Sequence, residues 1–389
     1  MKREVIAMTE KLYYLDAYTA DFSARVLRCE EGKKGWETVL DRSAFYPEGG
    51  GQPGDSGFLG GVRVLDTHEK AGEIIHYCEG PLSVGTEVEG RIDFERRFDF
   101  MQQHSGEHMV SGLIHERFGC DNVGFHMGRD TVTIDFNCAI SPEQLREIET
   151  KANALIWENR PINVSWPDAE SLKSLPYRSK KELTGDVRIV ECAGVDICAC
   201  CGTHVRSAGE IGLIKLLSVH PFREGVRIEM LSGKRAYDYV CTAVEQNAAV
   251  GAMLSARFES TSGHVKRVQE ELAAANYRIA ALENRVFEQL ASRYEGAERA
   301  IVFEDGLSSD GVRRLADAVM SRCGGVCAVF SGSDDSGYKY ALGQREGDLR
   351  AMVKDMNSAL RGRGGGKPFF AQGSVNCTRG EIEAFWGIE

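Results

Sequence analysis

Long apolar runs are missing from this 389-residue chain: no stretch approaches the ~18 consecutive apolar residues a membrane helix needs. The start, MKREVIAMTEKLYYLD, lacks the apolar core of a signal peptide, so the expected location is cytoplasmic. Net positive charge is missing too. The 47 basic residues face 58 acidic ones, a balance of −11, which excludes a protein that binds nucleic acid over its whole surface. A local basic groove remains compatible with that balance. No internal repeat is evident. What is present is ordinary for a folded protein: 42% hydrophobic, 27% charged and 8% aromatic residues, in a length that favours two or three domains. In a reducing compartment, the 12 cysteines argue against a disulfide framework. Some then pack in cores, and any cluster has to be tested as a metal site.

The expected class is α+β, in four segments. Residues 1–95 alternate apolar and polar residues in short runs broken by glycine, which predicts a small antiparallel β-barrel. Residues 96–232 mix the helical spacing of RRFDFMQQHSGEHMVSGLIHERFG with strands such as TVTIDF, INVSW and DVRIVE, a two-layer α/β domain. Ser141, followed by Pro142 and Glu143, is expected to cap a helix there. Residues 233–296 read as a long helical spacer. Val265, Leu272, Ile279 and Val286 recur every seven residues, with Val268, Ala275 and Leu282 between them. That pattern is a short coiled coil that could pair two chains through residues 265–286, or else a helical hairpin packed on its own domain. Residues 297–389 read as a compact α/β unit.

The chemistry-bearing residues are histidine and cysteine. His104 and His108 stand four apart on an expected helix, which puts both rings on one face. About ninety residues later, CACCGTHV repeats the spacing with Cys200 and His204, while Cys198 and Cys201 compete for the sulfur position. Thiolate with imidazole selects zinc among the common metals. A redox pair or buried thiols would leave the histidines unexplained. The metalloprotease pattern H-E-x-x-H is absent, since Ser105 follows His104. Glu107 is expected to point away from the shared face, solvated or supporting the ligands from behind. Four protein ligands fill a tetrahedral shell, which is the habit of structural zinc, whereas catalytic zinc keeps a position open.

Two glycine-rich stretches stand apart. YPEGGGQPGDSG (46–57) has no lysine, so it is not a Walker loop, and Gly49, Gly50 and Gly51 would let backbone approach a ligand. Gln52 and Asp55 are the polar groups it could present. RGRGGGKPF (361–369) has the wrong glycine spacing and Pro368 after Lys367, so nucleotide hydrolysis is a poor reading. Arg361, Arg363 and Lys367 around Gly364, Gly365 and Gly366 suit a phosphate-backbone contact, with a solvated basic loop as the alternative.

FYPEGGGQPGD, MQQHSGEHMVSG, DVRIVECAGVDICACCGTHV, EIGLIKL and GVRIEMLSG together resemble the alanyl-tRNA editing proteins of AlaX type, which are similar to the editing half of alanyl-tRNA synthetase. The tail, GRGGGKPFFAQGS, resembles the DHH-associated C-terminal domain of that synthetase. The resemblance spans nearly the whole chain. It implies a barrel, an editing domain, a helical spacer and an RNA-binding tail. It also implies a deacylase that hydrolyses serine, or as a second substrate glycine, from mischarged tRNA(Ala). The zinc ligands it implies are His104, His108, Cys200 and His204. Cys201 stands where the family has the first glycine of C-G-G-T-H, which leaves the sulfur ligand open between the two thiols. Thr133 falls where the family carries a hydroxyl for the serine side chain, and the loop bearing Gln52 matches the loop facing the site. A non-catalytic RNA-binding protein with a structural zinc is the first alternative. A truncated ligase-related protein is the second, and the roughly 95 residues ahead of the zinc motif speak against it.

Overall fold

A computed structural model describes residues 8–179, 185–192 and 194–388. The first seven residues of the segment read as a barrel, and Ala193 within DVRIVECAGVDICACCGTHV, lie outside the described residues. The chain divides into two compact units, 1–246 and 247–389, whose boundary falls inside the helix Gly233–Leu254.

In the first unit, six strands pair antiparallel in a closed ring. The order is Asp21–Gly32, Gly35–Leu40, Glu73–Cys78, Val62–Lys70, Gly57–Leu59 and Glu87–Ile92, with the last returning to the first. The strict alternation of DFSARVL points Phe22, Ala24 and Val26 inward, where they meet Leu40, Phe45, Leu59 and Val64. The glycine stretch 46–57 leaves this barrel just before the Gly57–Leu59 strand.

A second sheet runs Ile214–Phe222, Gly225–Ser232, Val132–Phe136, Asn122–Met127, all antiparallel. The helices Phe94–Phe118 and Pro142–Glu158 share one core with it, built from Met101, Met109, Leu113, Ile134, Ile228, Leu145 and Ile148 among others. Ser141 caps the second helix through a capping box with Gln144. The long helix is buried over almost its whole middle, from Phe100 to Ile114. Gly106 makes this possible. A Cβ there would sit 2.1 Å from Ser232 Oγ, so only glycine lets the helix come this close to the sheet. Gln103 fastens the contact by donating to Ser232 O and accepting from Ser232 N, both at 2.8 Å. A small three-stranded sheet, Ile162–Ser165, Ile189–Cys192 and Asp196–Ala199, brings the Cys200 segment up to this helix.

The second unit has one five-stranded sheet in the order Arg299–Phe303, Val326–Ser333, Gly337–Gly343, Phe370–Val375, Arg363–Lys367, whose first pair alone is parallel. The second glycine stretch is therefore an edge strand rather than a loop. Ser308 caps the helix Ser309–Met320. The helix Thr261–Ala291 keeps Val265, Val268, Leu272, Ile279, Leu282 and Val286 exposed.

One disulfide, Cys120–Cys138, joins the end of the Phe94–Phe118 helix to the end of the Val132–Phe136 strand, while ten other cysteines stay free. The sequence reading does not foresee this pair, whose residues the helix end and strand end bring together. No described helix is long and apolar enough to cross a membrane.

Candidate metal centre

His104 and His108 project from the same face of the Phe94–Phe118 helix, their ring centroids 5.3 Å apart. His204 closes the group, 4.5 Å from His104 and 4.6 Å from His108. Cys200 Sγ lies 3.4 Å from His104 Nε2 and 3.4 Å from His204 Nε2. One atom from each of the four residues falls within 4.8 Å of all the others. Arms of ~2.05 Å for nitrogen and ~2.3 Å for sulfur, set tetrahedrally, would separate N and S by about 3.5 Å. The donor set and the spacing therefore fit zinc.

The second ring nitrogen of each histidine is already committed. His104 Nδ1 lies 3.0 Å from Gln52 Oε1, His108 Nδ1 lies 3.1 Å from Asp196 Oδ2, and His204 Nδ1 lies 3.2 Å from Ser105 Oγ. Those acceptors hold protons on Nδ1 and leave Nε2 as the lone-pair nitrogen facing the centre. Gln52 is fully buried and bridges the two half-motifs. Its Oε1 also accepts from Thr203 N at 3.1 Å, and its Nε2 donates to Thr203 Oγ1 at 2.9 Å. Gly202 has to be glycine, because a Cβ there would meet His104 Cε1 at 2.1 Å.

The electrostatics favour ligand forms at Cys200 and His204, whereas at His108 burial is outweighed by Cys200 and Asp196, which hold that imidazole well above the usual histidine range. Burial alone would push the Cys200 thiol up, but the three surrounding imidazoles hold it well below its ordinary value. Burial, and then His104, hold His204 well below the usual histidine range. Burial would raise the Asp196 carboxyl, yet His108 and Arg178 keep it below its ordinary range. Arg178 holds Asp196 at 2.7 and 2.9 Å, so the carboxylate that orients His108 is itself fixed.

The structure thus brings His104, His108, Cys200, His204 and Gln52 together. Cys201 is exposed and outside the cluster, and Cys198 groups with His108 and Asp196 instead. Cys200 is the sulfur at the centre. Two expectations change, for Thr133 and Asp55, and one of the two alternatives for Glu107 falls away. Thr133 pairs with His126 and Glu229, whereas the next residue, Ile134, pairs with Phe125, whose ring lies 5.1 Å from His104. Successive strand residues face opposite sides, so Thr133 points away from the metal side. Glu107 is not solvated: it is buried and accepts from Ser111 Oγ and Asn122 Nδ2. Asp55 is not offered to a ligand either, because it forms a buried ion pair with Arg97, which also donates to Ala17 O and Ala44 O. That pair anchors the glycine loop, whose Gly49–Gly51 stretch lets Gln52 reach inward. Ser105, Asp196 and Thr203 support the ligands in roles that the sequence spacing does not reveal. Ser105 stands inside the H-S-G-E-H string and Asp196 just ahead of the cysteine cluster, so proximity to the ligands was the available signal.

In the second unit the basic residues separate. Arg361 is held by Glu381 at 2.8 and 2.9 Å and by Asn376 O at 2.8 Å. Arg363 and Lys367 are exposed on the edge strand and make no ion pair among the described residues.

Fold and site together define a tRNA-synthetase-related module. The family model "Threonyl and Alanyl tRNA synthetase second additional domain" matches residues 187–229, "tRNA synthetases class II (A)" matches 4–96, and "DHHA1 domain" matches 296–385. Alanyl-tRNA editing protein Aarsd1-A of Xenopus laevis is 32% identical over 276 residues, 67% of each chain. Alanyl-tRNA editing protein AlaX-L of Pyrococcus horikoshii is 29% identical over 404 residues, 96% of each chain. Alanine–tRNA ligase of Methanoregula boonei is 33% identical over 387 residues, 94% of this chain but 41% of the ligase. The chain thus spans about two fifths of the length of the ligase it matches. It belongs to the alanyl-tRNA editing protein family.

Proposed function

We propose that this protein is a zinc-dependent hydrolase of the aminoacyl ester in mischarged tRNA(Ala), with the seryl ester as the main substrate and the glycyl ester as the second. The observation that carries the reading is the gathering of one ring nitrogen from each of three histidines around Cys200 Sγ, each ring oriented from behind, in a chain of the editing family. His104, His108, Cys200 and His204 would hold the metal. Zinc bound there supplies a Lewis acid for an ester carbonyl and lowers the pKa of a water. Gln52, Asp196 and Ser105 keep the Nδ1 protons in place, so the ligand face does not turn. The chemical demand is small because the ester is already labile and needs mainly orientation. The biological need is physical. A pocket built for alanine rejects glycine or serine by only about 10- to 200-fold, so a second, hydrolytic site has something to correct.

The remaining parts fit the same reading. The barrel over 1–95 and the 96–232 domain would form the editing half, and 297–389 would hold the tRNA, with Arg363, Lys367 and the flat glycine edge Gly364–Gly366 against phosphates. The exposed apolar stripe 265–286 would pair two chains. A closed four-ligand shell favours one other reading, a structural zinc in a non-catalytic RNA-binding protein. Metal analysis and a deacylation panel separate them. We expect one zinc per chain, lost on His104→Ala, and release of serine from seryl-tRNA(Ala) with alanyl-tRNA(Ala) spared. Zinc-replete protein that hydrolyses neither seryl- nor glycyl-tRNA(Ala) would leave only the structural reading.

A further inference from the structure

An aromatic ladder leads from the glycine loop to the surface of the N-terminal unit. Tyr46, at the start of the loop, and Tyr13 have ring centroids 5.5 Å apart, Tyr13 and Tyr14 4.6 Å, and Tyr14 and Trp166 5.5 Å. Burial falls steadily outward: Tyr46 and Tyr13 are 2% and 1% exposed, Tyr14 is half-buried, and Trp166 is 49% exposed. The ladder is tied to the metal centre through Arg188. Its guanidinium lies 5.4 Å over the Tyr14 ring and donates to Cys200 O and Gly202 O at 2.8 Å each. Three contacts therefore join Trp166 to the segment carrying the sulfur ligand. Two buried polar atoms along the way, Tyr13 Oη and Arg188 Nε, have no hydrogen-bond partner among the described residues.

We propose that Trp166 and Tyr14 form the stacking platform for the single-stranded 3′ end of the tRNA. The proposal rests on the reading of the metal centre as an aminoacyl-ester site. The ester sits on the terminal ribose, so the bases of that strand must lie within a nucleotide or two of the metal. An indole half in water, three contacts from the Cys200 segment, offers them a π-face. Stacking on an aromatic ring is tolerant of base identity and suits an end whose sequence is common to all tRNAs. Arg188, over the Tyr14 ring, stiffens the ladder by a cation–π contact and ties it to the Cys200 segment. Trp166 is a positioning residue in this scheme, since it touches a base and not the reacting atoms.

The test crosses a protein change with an RNA change, using the full chain loaded with zinc. Binding is measured for intact tRNA(Ala) and for tRNA(Ala) trimmed of its last three nucleotides, with wild type, Trp166→Ala and Trp166→Phe. Wild type should lose roughly tenfold in affinity when the end is trimmed, Trp166→Ala should lose about that much on intact tRNA and little more on trimming, and Trp166→Phe should stay within about threefold of wild type. Zinc content should be the same in all three. The platform is overturned if Trp166→Ala, with full zinc, still distinguishes intact from trimmed tRNA as wild type does. Deacylation by wild type is scored separately. Its absence refutes the proposed function, whereas normal deacylation with additive binding losses refutes only the platform.

Discussion

Gln52 stands on the barrel's loop, 52 residues from His104 and 151 from Thr203, yet it bonds to both. No spacing rule could have found it as an orienting group. The ligands themselves were legible because two pairs at i, i+4 are a helical and a turn geometry written into the sequence, whereas their supports arrive from residues 52, 105 and 196 by tertiary packing. We expect Gln52→Ala to weaken zinc binding by roughly 10- to 100-fold, measured by competition with a chromophoric chelator. Unchanged affinity would remove Gln52 from that role. A second residue-scale outcome concerns His76, which is fully buried in the barrel, where its Nδ1 donates to Thr38 O at 3.0 Å and its Nε2 lies 2.7 Å from Ser43 Oγ. Burial lowers its pKa to about 4. The unfolded chain, with a pKa of about 6.5, therefore binds the extra proton first as pH falls. Stability from this group is complete above about pH 6.5 and is lost progressively toward pH 4, by about 3 kcal/mol in all. Urea midpoints taken between pH 7 and pH 4.5 should fall less steeply for His76→Gln than for wild type, and parallel slopes would refute the assignment.

At the scale of elements, the Thr261–Ala291 helix poses the clearest question. Its heptad residues remain in water: Leu272 is 60% exposed and Leu282 61%. An apolar stripe of that length costs solubility unless something covers it, and a second copy of the same stripe is self-complementary. We expect Leu272→Glu with Ile279→Glu to convert a dimer into a monomer that keeps its zinc, read by light scattering. A wild-type monomer at micromolar concentration would refute the pairing. The heptad was readable because periodicity is a local property. The strand character of the second glycine stretch is hidden for the converse reason. Three glycines in a row look like a loop, but here they pair with Phe370–Val375 as an edge strand. A Cβ at Gly364 would fall 2.4 Å from Gln372 O and 2.5 Å from Gly373 Cα, so glycine is demanded by the neighbouring strand, which only the folded sheet supplies. Thr133 shows the same limit in a strand, because a hydroxyl beside a motif says nothing of which face it occupies until the register is fixed.

For the whole molecule, a net charge of −11 and an expected tRNA partner are reconciled only if positive charge is local. The second unit meets that condition. A cleft of about 930 Å³ is lined by Ser331, Lys339, Arg363 and Ser374, with no carboxylate among its lining residues. Lys339, Ser374 and Arg363 stand opposite one another on adjacent strands, so they share one face of the sheet. Arg361 also borders this cleft, but Glu381 already engages it. The three basic residues of the glycine segment, alike in sequence, are therefore expected to behave differently. Each Lys or Arg that neutralises a phosphate contributes about −0.7 to −0.9 to the slope of log affinity against log salt. Arg363→Ala with Lys367→Ala should weaken tRNA binding and reduce that slope by about 1.4 to 1.8. Arg361→Ala should leave the slope near its wild-type value and lower the thermal stability of the unit, because it frees Glu381 and the carbonyl of Asn376. The double variant should keep its zinc and its single-turnover deacylation rate at saturating tRNA, since the ligands lie between residues 104 and 204 of the other unit. If Arg363→Ala with Lys367→Ala binds as tightly as wild type across the whole salt titration, the edge strand is not an RNA contact.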